Sequence, residues 1–220
     1  MKIKLIGCAS IMNEIRWIGV PENTDCEFLD FNYHANPVKL HEKLQQVIDE
    51  SQDYDLIILT NSRCSNILVN LVSPKVPLLF PRTHDCIGLL LGSNKRHMEL
   101  MQKDSAVYYF SQGWLDYGRS PYAEFLEYEQ KYGRETAKSL IDTLYGRYRK
   151  AMFIVTPGIK NIQQYRDQVE EIARFFNWET TETNGNLDLL SSLVNGIEKT
   201  EIIRIEPGVK ITEELLEKYN

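Results

Sequence analysis

Short apolar runs alternate with amphipathic stretches along the first half of the chain. The apolar runs at residues 2–8, 26–31, 55–59 and 76–80 are predicted to be strands. Pro37 opens an amphipathic helix between two of them, and residues 64–72 are predicted to form another helix. Strands that alternate with helices form right-handed crossovers and a largely parallel sheet. The pattern therefore predicts an α/β fold.

The second half repeats this alternation after a long polar segment. Strand 106–110 follows a helix that Ser93 caps, and residues 121–148 read as helix interrupted by Gly133. The strands predicted beyond it are 152–155, 178–183 and 201–205, and the helices are 162–176 and 187–194. We predict two Rossmann-like βαβ halves with mainly parallel sheets, joined by a long helical segment. Their expected bounds are 1–118, a helical bridge at 119–150, and 151–220.

Charge and hydropathy narrow the class of protein. The 220 residues carry a net charge of -6, and the acidic residues are spread along the chain, so neither a nucleic-acid nor a membrane partner is expected. The apolar run before Cys8 spans only about three residues, whereas an export signal needs roughly 7 to 15. We therefore expect a cytoplasmic protein. Its four cysteines should be reduced thiols or metal ligands rather than disulfides.

Three cysteines and one histidine follow predicted strands. Cys8 ends the first strand, His34 follows the second, Cys64 the third and Cys86 the fourth. The carboxyl ends of parallel strands line one shared crevice, so these side chains are expected to meet there. Three thiols and one imidazole suit zinc, or an iron–sulfur cluster bound largely by thiolates. Cys26 lies at the opposite end of its strand and is excluded.

The segment PRTHDC supplies candidate groups for chemistry beside that metal. We expect Cys86 at a helix N-terminus with Arg82 nearby, and both features favour a thiolate. His84 competes with His34 as the nitrogen ligand. We favour His34 as the ligand and His84 as an acid–base or substrate-facing group, with Asp85 orienting an imidazole. Arg82, His84 and Asp85 are thus the candidate catalytic residues.

Two turns in the second half are candidate anion-binding loops. Gly158, and the pair Gly185 and Asn186, lie between a predicted strand and a helix. The backbone N–H groups of such turns can bind an anion, although helix capping also explains them. We take these three residues as candidate cofactor-binding positions facing the thiols across a cleft.

The other motifs and histidines add little. No G-x-S-x-G elbow, P-loop or G-x-G-x-x-G motif occurs, so a hydrolase triad and the usual nucleotide loops have no support. His41 and His97 lie among charged neighbours on helical patterns and are expected to be solvated. Tyr108, Tyr109 and Trp114 are expected to pack in the core or at a hinge.

Several segments together resemble the uncharacterised family named domain of unknown function 1638. They are Cys8-Ala9-Ser10, the strand ending in His34 with Asn36-Pro37 and Leu40, the Cys64 loop, PRTHDCIGLLLGS, YYFSQGW and NLDLLSSLVNG. The family's usual first motif is Ala-Cys-Glu-Ile and its usual third-strand loop Tyr-Gly-Leu-Cys-Gly, whereas this chain has GCAS and NSRCSN. The resemblance implies a setting in anaerobic bacteria and methanogenic archaea, where corrinoid-dependent methyl transfer is frequent.

Three functions remain open at this point. The first is a metalloenzyme of anaerobic metabolism, linked to corrinoid-dependent methyl transfer, whose zinc or iron–sulfur centre leaves a position for a small-molecule or cofactor ligand. The second is a non-catalytic module that holds a metal, a tetrapyrrole or a corrinoid for a partner protein. The third is a structural zinc site in an interaction protein. Whether the protein is an enzyme is not decided by its sequence.

Overall fold

A computed structural model describes residues 1–217, apart from the side chains of Ser65 and Glu217. The strands are β1 (Ile3–Cys8), β2 (Thr24–Leu29), β3 (Leu56–Leu59), β4 (Leu78–Pro81), β5 (Val107–Phe110), β6 (Lys150–Val155), β7 (Glu179–Asn184) and β8 (Ile202–Ile205). The helices are α1 (Met12–Ile18), α2 (Pro37–Glu50), α3 (Cys86–Leu90), α4 (Asn94–Lys103), α5 (Gln112–Tyr117), α6 (Pro121–Tyr132), α7 (Arg134–Tyr145), α8 (Ile162–Phe176), α9 (Asp188–Val194) and α10 (Glu213–Glu217).

The strands form two sheets. The larger has the order β2-β1-β3-β4-β8, and its first four strands are parallel, while β8 runs antiparallel to β4. The smaller sheet has the order β5-β6-β7 and is parallel throughout. All four residues of β3 and of β4 are buried, as expected for strands covered on both faces. The predicted Rossmann-like α/β fold with mainly parallel sheets is confirmed.

Two strands belong to a different sheet from the one that the expected division of the chain into halves would give them. β5, which we placed in the N-terminal half, pairs with β6, so that Val107 lies opposite Lys150. β8, which we placed in the C-terminal half, returns to the first sheet, where Ile203 and Ile205 join the core around α2. Hydrophobic period identifies a strand but not its neighbour, which explains the difference.

Residues 64–72 do not form the predicted helix. Only a short 3₁₀ turn, Cys64–Asn66, is present. Asn66 and Asn70 both have positive φ, which a right-handed helix cannot accommodate and which asparagine tolerates better than most residues. Ile67, Leu68 and Leu71 are nonetheless buried, so the apolar positions that suggested a helix belong to turns packed on the core.

The two faces of the larger sheet carry separate cores. α2 covers one face through Leu44, Val47 and Ile48. α1, α3 and α9 cover the other, and α9 contributes Leu190 and Leu193 although it lies late in the chain. No helix within the described part of the chain is long and apolar enough to cross a membrane. This packing leaves the loops after β1, β2, β3 and β4 together at one edge, because those strands are parallel.

Candidate functional site

Four potential metal ligands line one cavity at the carboxyl edge of the larger sheet. Cys8 is the last residue of β1, and His34 lies in the 3₁₀ turn Phe31–Ala35 after β2. Cys64 opens the turn after β3, and Cys86 is the first residue of α3 after β4. The cavity measures ≈ 40 Å³, and we call it the thiol pocket. The remaining cysteine, on β2, is exposed and does not line it.

Cys8 and His34 are in direct contact within the thiol pocket. The Cys8 Sγ lies 2.9 Å from His34 Nε2, a hydrogen-bond separation. Ser10 also donates to the same sulfur, from its backbone N–H at 3.4 Å and from its hydroxyl at 3.1 Å. The sulfur is therefore fixed by three polar contacts from two elements of the chain.

Aromatic rings hold the His34 imidazole in place. Its ring stacks on Phe31, with centroids 4.6 Å apart, and meets the edge of Trp114 at 5.8 Å. Burial among these rings lowers the pKa of His34. The imidazole is therefore neutral near pH 7, which is the form that accepts a proton or binds a metal.

The loops that carry Cys64 and Cys86 are tied to each other. Ser62 Oγ lies 2.7 Å from Thr83 Oγ1, and the Arg63 N–H donates to the Thr83 carbonyl at 3.2 Å. These bonds connect the loop after β3 to the loop after β4. The two thiols consequently approach the same cavity from neighbouring, mutually fixed loops.

All three thiols of the pocket are harder to ionise than an ordinary cysteine. Burial raises the pKa of Cys64 to about 12, raises that of Cys86 well above its ordinary value, and raises that of Cys8. Each also disfavours ionisation of its neighbours, since Cys8 and Cys64 both raise the pKa of Cys86. Cys86 lies at a helix N-terminus as expected, but burial raises its pKa, as do Cys64, Asp85 and Cys8, so by itself it is not an activated thiolate.

Two oxygen atoms of the thiol pocket have unused hydrogen-bonding capacity. Thr60 Oγ1 and Asn61 Oδ1 are buried and have no hydrogen-bond partner within residues 1–217. A buried polar group without a partner costs about 1–3 kcal/mol, so such atoms mark a place for a water or a ligand. The cavity exceeds the roughly 10–15 Å³ that one water needs.

Three thiols and an imidazole are suitable zinc ligands by their chemistry. The distance between the Cys8 sulfur and the His34 ring nitrogen, however, is that of a hydrogen bond. Two ligands of one tetrahedral zinc ion, a thiolate and an imidazole, lie roughly 3.5 Å apart. The Cys8–His34 separation of 2.9 Å is shorter. Across the described residues, no three His, Cys, Asp or Glu side chains are already arranged to hold one metal ion. The residue types therefore fit zinc, and its entry would have to separate this pair.

Arg82 and His84 lie outside the thiol pocket. Both line a separate small depression together with Arg63 and Thr83. The His84 side chain is 58% exposed, and its Nδ1 lies 3.2 Å from Asp85 Oδ2, a contact that raises the pKa of His84. The candidate catalytic residues Arg82 and His84 are thus separated from the predicted ligands.

Asp85 orients a helix and two histidines. Its Oδ1 caps α3 by accepting from the N–H groups of Ile87 at 3.0 Å and Gly88 at 3.3 Å. The same carboxylate lies 3.3 Å from His97 Nδ1, although that contact lacks hydrogen-bond alignment. Asp85 therefore acts on His84 and His97, and its charge also raises the pKa values of Cys64 and Cys86.

His97 is buried, contrary to the expectation that it is solvated. Only 1% of it is exposed, and its ring meets Tyr109 edge-on at 5.5 Å. Its charged neighbours in the sequence gave the opposite indication: Lys95 and Glu99 are exposed, whereas Arg96 is half-buried and donates to the Thr183 hydroxyl. His41 is half-buried, and its Nδ1 lies 2.9 Å from the Ile67 carbonyl oxygen.

The two candidate anion-binding loops pack against other parts of the chain or hydrogen-bond to them. Gly158 has φ of 87° and lies so close under Trp17 that no Cβ would fit. The Gly185 N–H donates to the Val155 carbonyl and the Asn186 N–H to the Leu90 carbonyl. Their donors are used within the chain, which removes the argument for anion binding at Gly185 and Asn186. None of the three candidate residues lines the thiol pocket.

A second cavity lies directly beside the first. It measures ≈ 190 Å³, and Cys86, which also lines the thiol pocket, forms part of its wall. The rest is mainly aromatic and aliphatic, with Tyr108, Tyr109, Trp114 and Tyr148 among the lining residues. We call this the aromatic pocket. This cavity could not be predicted from the sequence, because aromatic residues that line a cavity show the same sequence pattern as aromatic residues that pack in a core.

Comparisons with known proteins identify a family but no characterised relative. No curated protein matches the chain, and no solved structure matches it. The profile of one family, described as "Protein of unknown function (DUF1638)", matches residues 28–194. That span includes His34, Cys64, Cys86 and the residues of the aromatic pocket. Because it covers more than half of the sequence, the chain belongs to the DUF1638 family.

Proposed function

We propose that Cys8, His34, Cys64 and Cys86 bind one metal ion and that the protein is a metalloenzyme. The observation that carries the proposal is that these four side chains, each at or just beyond the carboxyl end of a different strand, line one small cavity. Burial and their mutual proximity raise the pKa values of the three thiols, so without a cation they stay protonated and neutral. A divalent metal that entered the pocket would displace those protons and be held by the thiolates.

The size of the thiol pocket favours a single zinc ion over a larger centre. A cavity of ≈ 40 Å³ has room for an ion with a water or two. An iron–sulfur cluster, the other centre that this donor set suits, would require more space. A tetrapyrrole or a corrinoid would require far more, since a cavity of roughly 150 Å³ is filled by one benzene ring. Neither of the two pockets described encloses such a macrocycle.

Two oxygen atoms beside the proposed centre favour a catalytic site over a purely structural one. Four protein ligands would close a zinc site, so a water or substrate would enter only as a fifth ligand or by displacing one of the four, and the ion would then supply Lewis acidity. Thr60 Oγ1 and Asn61 Oδ1 have no hydrogen-bond partner in the described residues and would orient that water or substrate. The thiols would stay reduced in the cytoplasm. The family resemblance supports a setting in anaerobic metabolism near corrinoid-dependent methyl transfer.

The Cys8–His34 contact favours a second candidate, a metal-free thiol nucleophile. A cysteine within hydrogen-bond reach of a neutral histidine is the arrangement of a nucleophile and its general base. The Ser10 N–H and hydroxyl would stabilise the resulting thiolate. This candidate gives no role to Cys64 and Cys86, so we rank it second.

Metal analysis of anaerobically purified protein tests both candidates. The metal proposal expects about one zinc per chain and a colourless protein, whereas a brown protein with visible sulfur-to-iron absorption would identify a cluster instead. Protein without any bound metal that neither takes up added zinc nor releases protons on its addition would refute the proposal. In that case, fast alkylation of Cys8 that slows in His34→Ala would support the nucleophile.

A further inference from the structure

We propose that the aromatic pocket binds a neutral compound with a single aromatic ring and an oxygen substituent, such as a phenol. The proposal rests on the cavity itself and does not require a metal in the thiol pocket. It is supported by the size of the cavity, by the absence of charge in its lining, and by one buried hydroxyl group on a lining residue that has no hydrogen-bond partner among the described residues.

The volume of the aromatic pocket suits a ligand with a single aromatic ring. A cavity of roughly 150 Å³ lined by apolar side chains binds benzene. The aromatic pocket measures ≈ 190 Å³, which leaves room for a ring with one or two further heavy atoms. Tyr108, Tyr148 and Trp114 are among the lining residues, and the Tyr108 ring contacts both of the others, with centroids 5.2 Å from Tyr148 and 6.4 Å from Trp114, each edge to face.

The lining selects a neutral ligand. Its residues are aromatic, aliphatic, a serine and a cysteine, without any Asp, Glu, Lys, Arg or His. Burying an ion without a partner costs far more than apolar contacts return, so a carboxylate or an ammonium group would not enter. The Ser111 hydroxyl oxygen accepts from the backbone N–H of Trp114 at 3.2 Å, which caps the start of α5.

One polar atom on the lining residues calls for an oxygen on the ligand. The Tyr109 hydroxyl is buried and has no hydrogen-bond partner among the described residues, whereas the Trp114 side chain lies close enough to the Tyr108 hydroxyl to lower its pKa. A tyrosine hydroxyl is a hydrogen-bond donor near pH 7. An oxygen substituent would accept from Tyr109, whereas a plain hydrocarbon would leave it without a partner.

The position of the pocket gives this ligand access to the thiols. Cys86 lines both cavities, and Trp114 lines the aromatic pocket while its edge meets the His34 ring. A bound ring would therefore touch a predicted metal ligand directly and a second one through Trp114. If the proposed centre is present, the aromatic pocket is where its substrate would lie.

Ligand-observed ¹⁹F NMR on the full-length protein tests the proposal with two probes, 4-fluorophenol and fluorobenzene. We expect saturable binding of both, with 4-fluorophenol binding about fivefold more tightly because of one neutral hydrogen bond. Tyr109→Phe should remove that fivefold preference. The matched control is Tyr54→Phe, which should retain it because Tyr54 does not line the aromatic pocket and its hydroxyl donates to Asp25 at 2.6 Å.

A cavity-filling variant locates the binding site. Ile87 lines only the aromatic pocket of the two, and Ile87→Phe should weaken both probes by at least about tenfold while the thermal melt stays cooperative. No saturable binding to the wild type, or unchanged binding to folded Ile87→Phe, would overturn the proposal. An unchanged preference in Tyr109→Phe would overturn the assigned hydrogen bond. Metal content measured on the same samples shows separately whether the proposed centre is present.

Discussion

Cys8 is buried and Cys64 and Cys86 are partly buried, and all three line the thiol pocket. We expect Cys86→Ser to lower zinc content to less than about a tenth of the wild-type value, because a hydroxyl is a poor zinc ligand. If the sheet forms without metal, the melting temperature of this variant should change by only a few degrees. Cys26→Ser is the matched control and should keep its zinc, because that residue is exposed and distant from the pocket. Equal zinc in wild type and Cys86→Ser would count against Cys86 as a ligand.

His34 lines the thiol pocket, whereas His84 lies outside it. Their alanine variants should therefore differ in zinc content and in stability. His34→Ala should release zinc and also lower stability by about 1 kcal/mol, because the stacking on Phe31 is lost. His84→Ala should keep zinc and fold normally, since the side chain is mostly exposed and lies outside the pocket. Zinc analysis and thermal melts of both variants check this. Loss of zinc in His84→Ala alone would show that the two histidines are assigned the wrong way round.

Glu14 makes the stability of the protein depend on pH. It is 1% exposed, and burial raises its pKa from 4.5 to about 7, although the Thr156 hydroxyl donates to its Oε1 at 3.0 Å. Between about pH 4.5 and 7 the unfolded chain releases this proton while the folded chain retains it. Stability that is fully present below pH 4.5 is thus lost as pH rises through 7, by about 3 kcal/mol.

Glu14→Gln tests this pH dependence, because the amide resembles the protonated acid in shape. The variant should match the wild type near pH 4.5 and exceed it in free energy of unfolding by about 1–3 kcal/mol at pH 8. Urea unfolding at several pH values measures the difference. A wild-type stability that does not fall between pH 5 and 8 would mean that another group compensates for Glu14.

The sequence predicts which side chains meet when each of them lies at the end of a parallel strand. Cys8, His34, Cys64 and Cys86 each follow a parallel strand, so their arrival at one edge could be predicted before their contacts were known. The burial of His97 could not, because it depends on how α4 folds back beside Tyr109.

α5 packs directly against the backbone of the 3₁₀ turn that follows Cys8, because Gly113 has no side chain at the point of contact. A Cβ on Gly113 would lie 2.0 Å from the Ser10 carbonyl oxygen, far inside contact distance. Gly113→Ala should therefore displace α5 and cost about 3 kcal/mol in free energy of unfolding. The exposed helical substitution Ser139→Ala should change it by less than about 0.5 kcal/mol. A Gly113→Ala variant as stable as the wild type in urea would show that the two elements can separate freely.

Elements with a long regular period were the most predictable. α8 spans the predicted residues 162–176, and α2 begins at the predicted Pro37. α1 and α5 were missed because helices of seven and six residues are too short to show a period. The predicted helix at 64–72 failed because two asparagines take left-handed backbone angles within an apolar stretch.

For the molecule as a whole, β8 closes the larger sheet from a distant part of the chain. A truncated chain of residues 1–198 would leave β4 as an unpaired edge and remove Ile202, Ile203 and Ile205, each worth about 1.5–3 kcal/mol when buried. We expect it to lose its cooperative thermal transition and to aggregate, as measured by circular dichroism and size-exclusion chromatography. A chain of residues 1–217 is the control and should behave as the full chain. Cooperative folding of 1–198 would show that four strands suffice.

The number and type of strands were predictable for the whole molecule, but their grouping was not. β5 and β8 each cross to the sheet opposite the one expected. Which edge a strand joins depends on competing contacts across the entire fold, and no local pattern records that competition.

The pairing of β4 with β8 also fixes when, during synthesis, this protein can fold. About 120 residues separate the two strands, so a ribosome adding roughly 5–20 residues per second needs about 6–24 s between them. During that interval β4 has an open edge, and the three sulfur atoms are carried by loops of an incomplete sheet. The thiol pocket would therefore reach its final form only after the last strand has emerged, when synthesis of the chain is nearly complete.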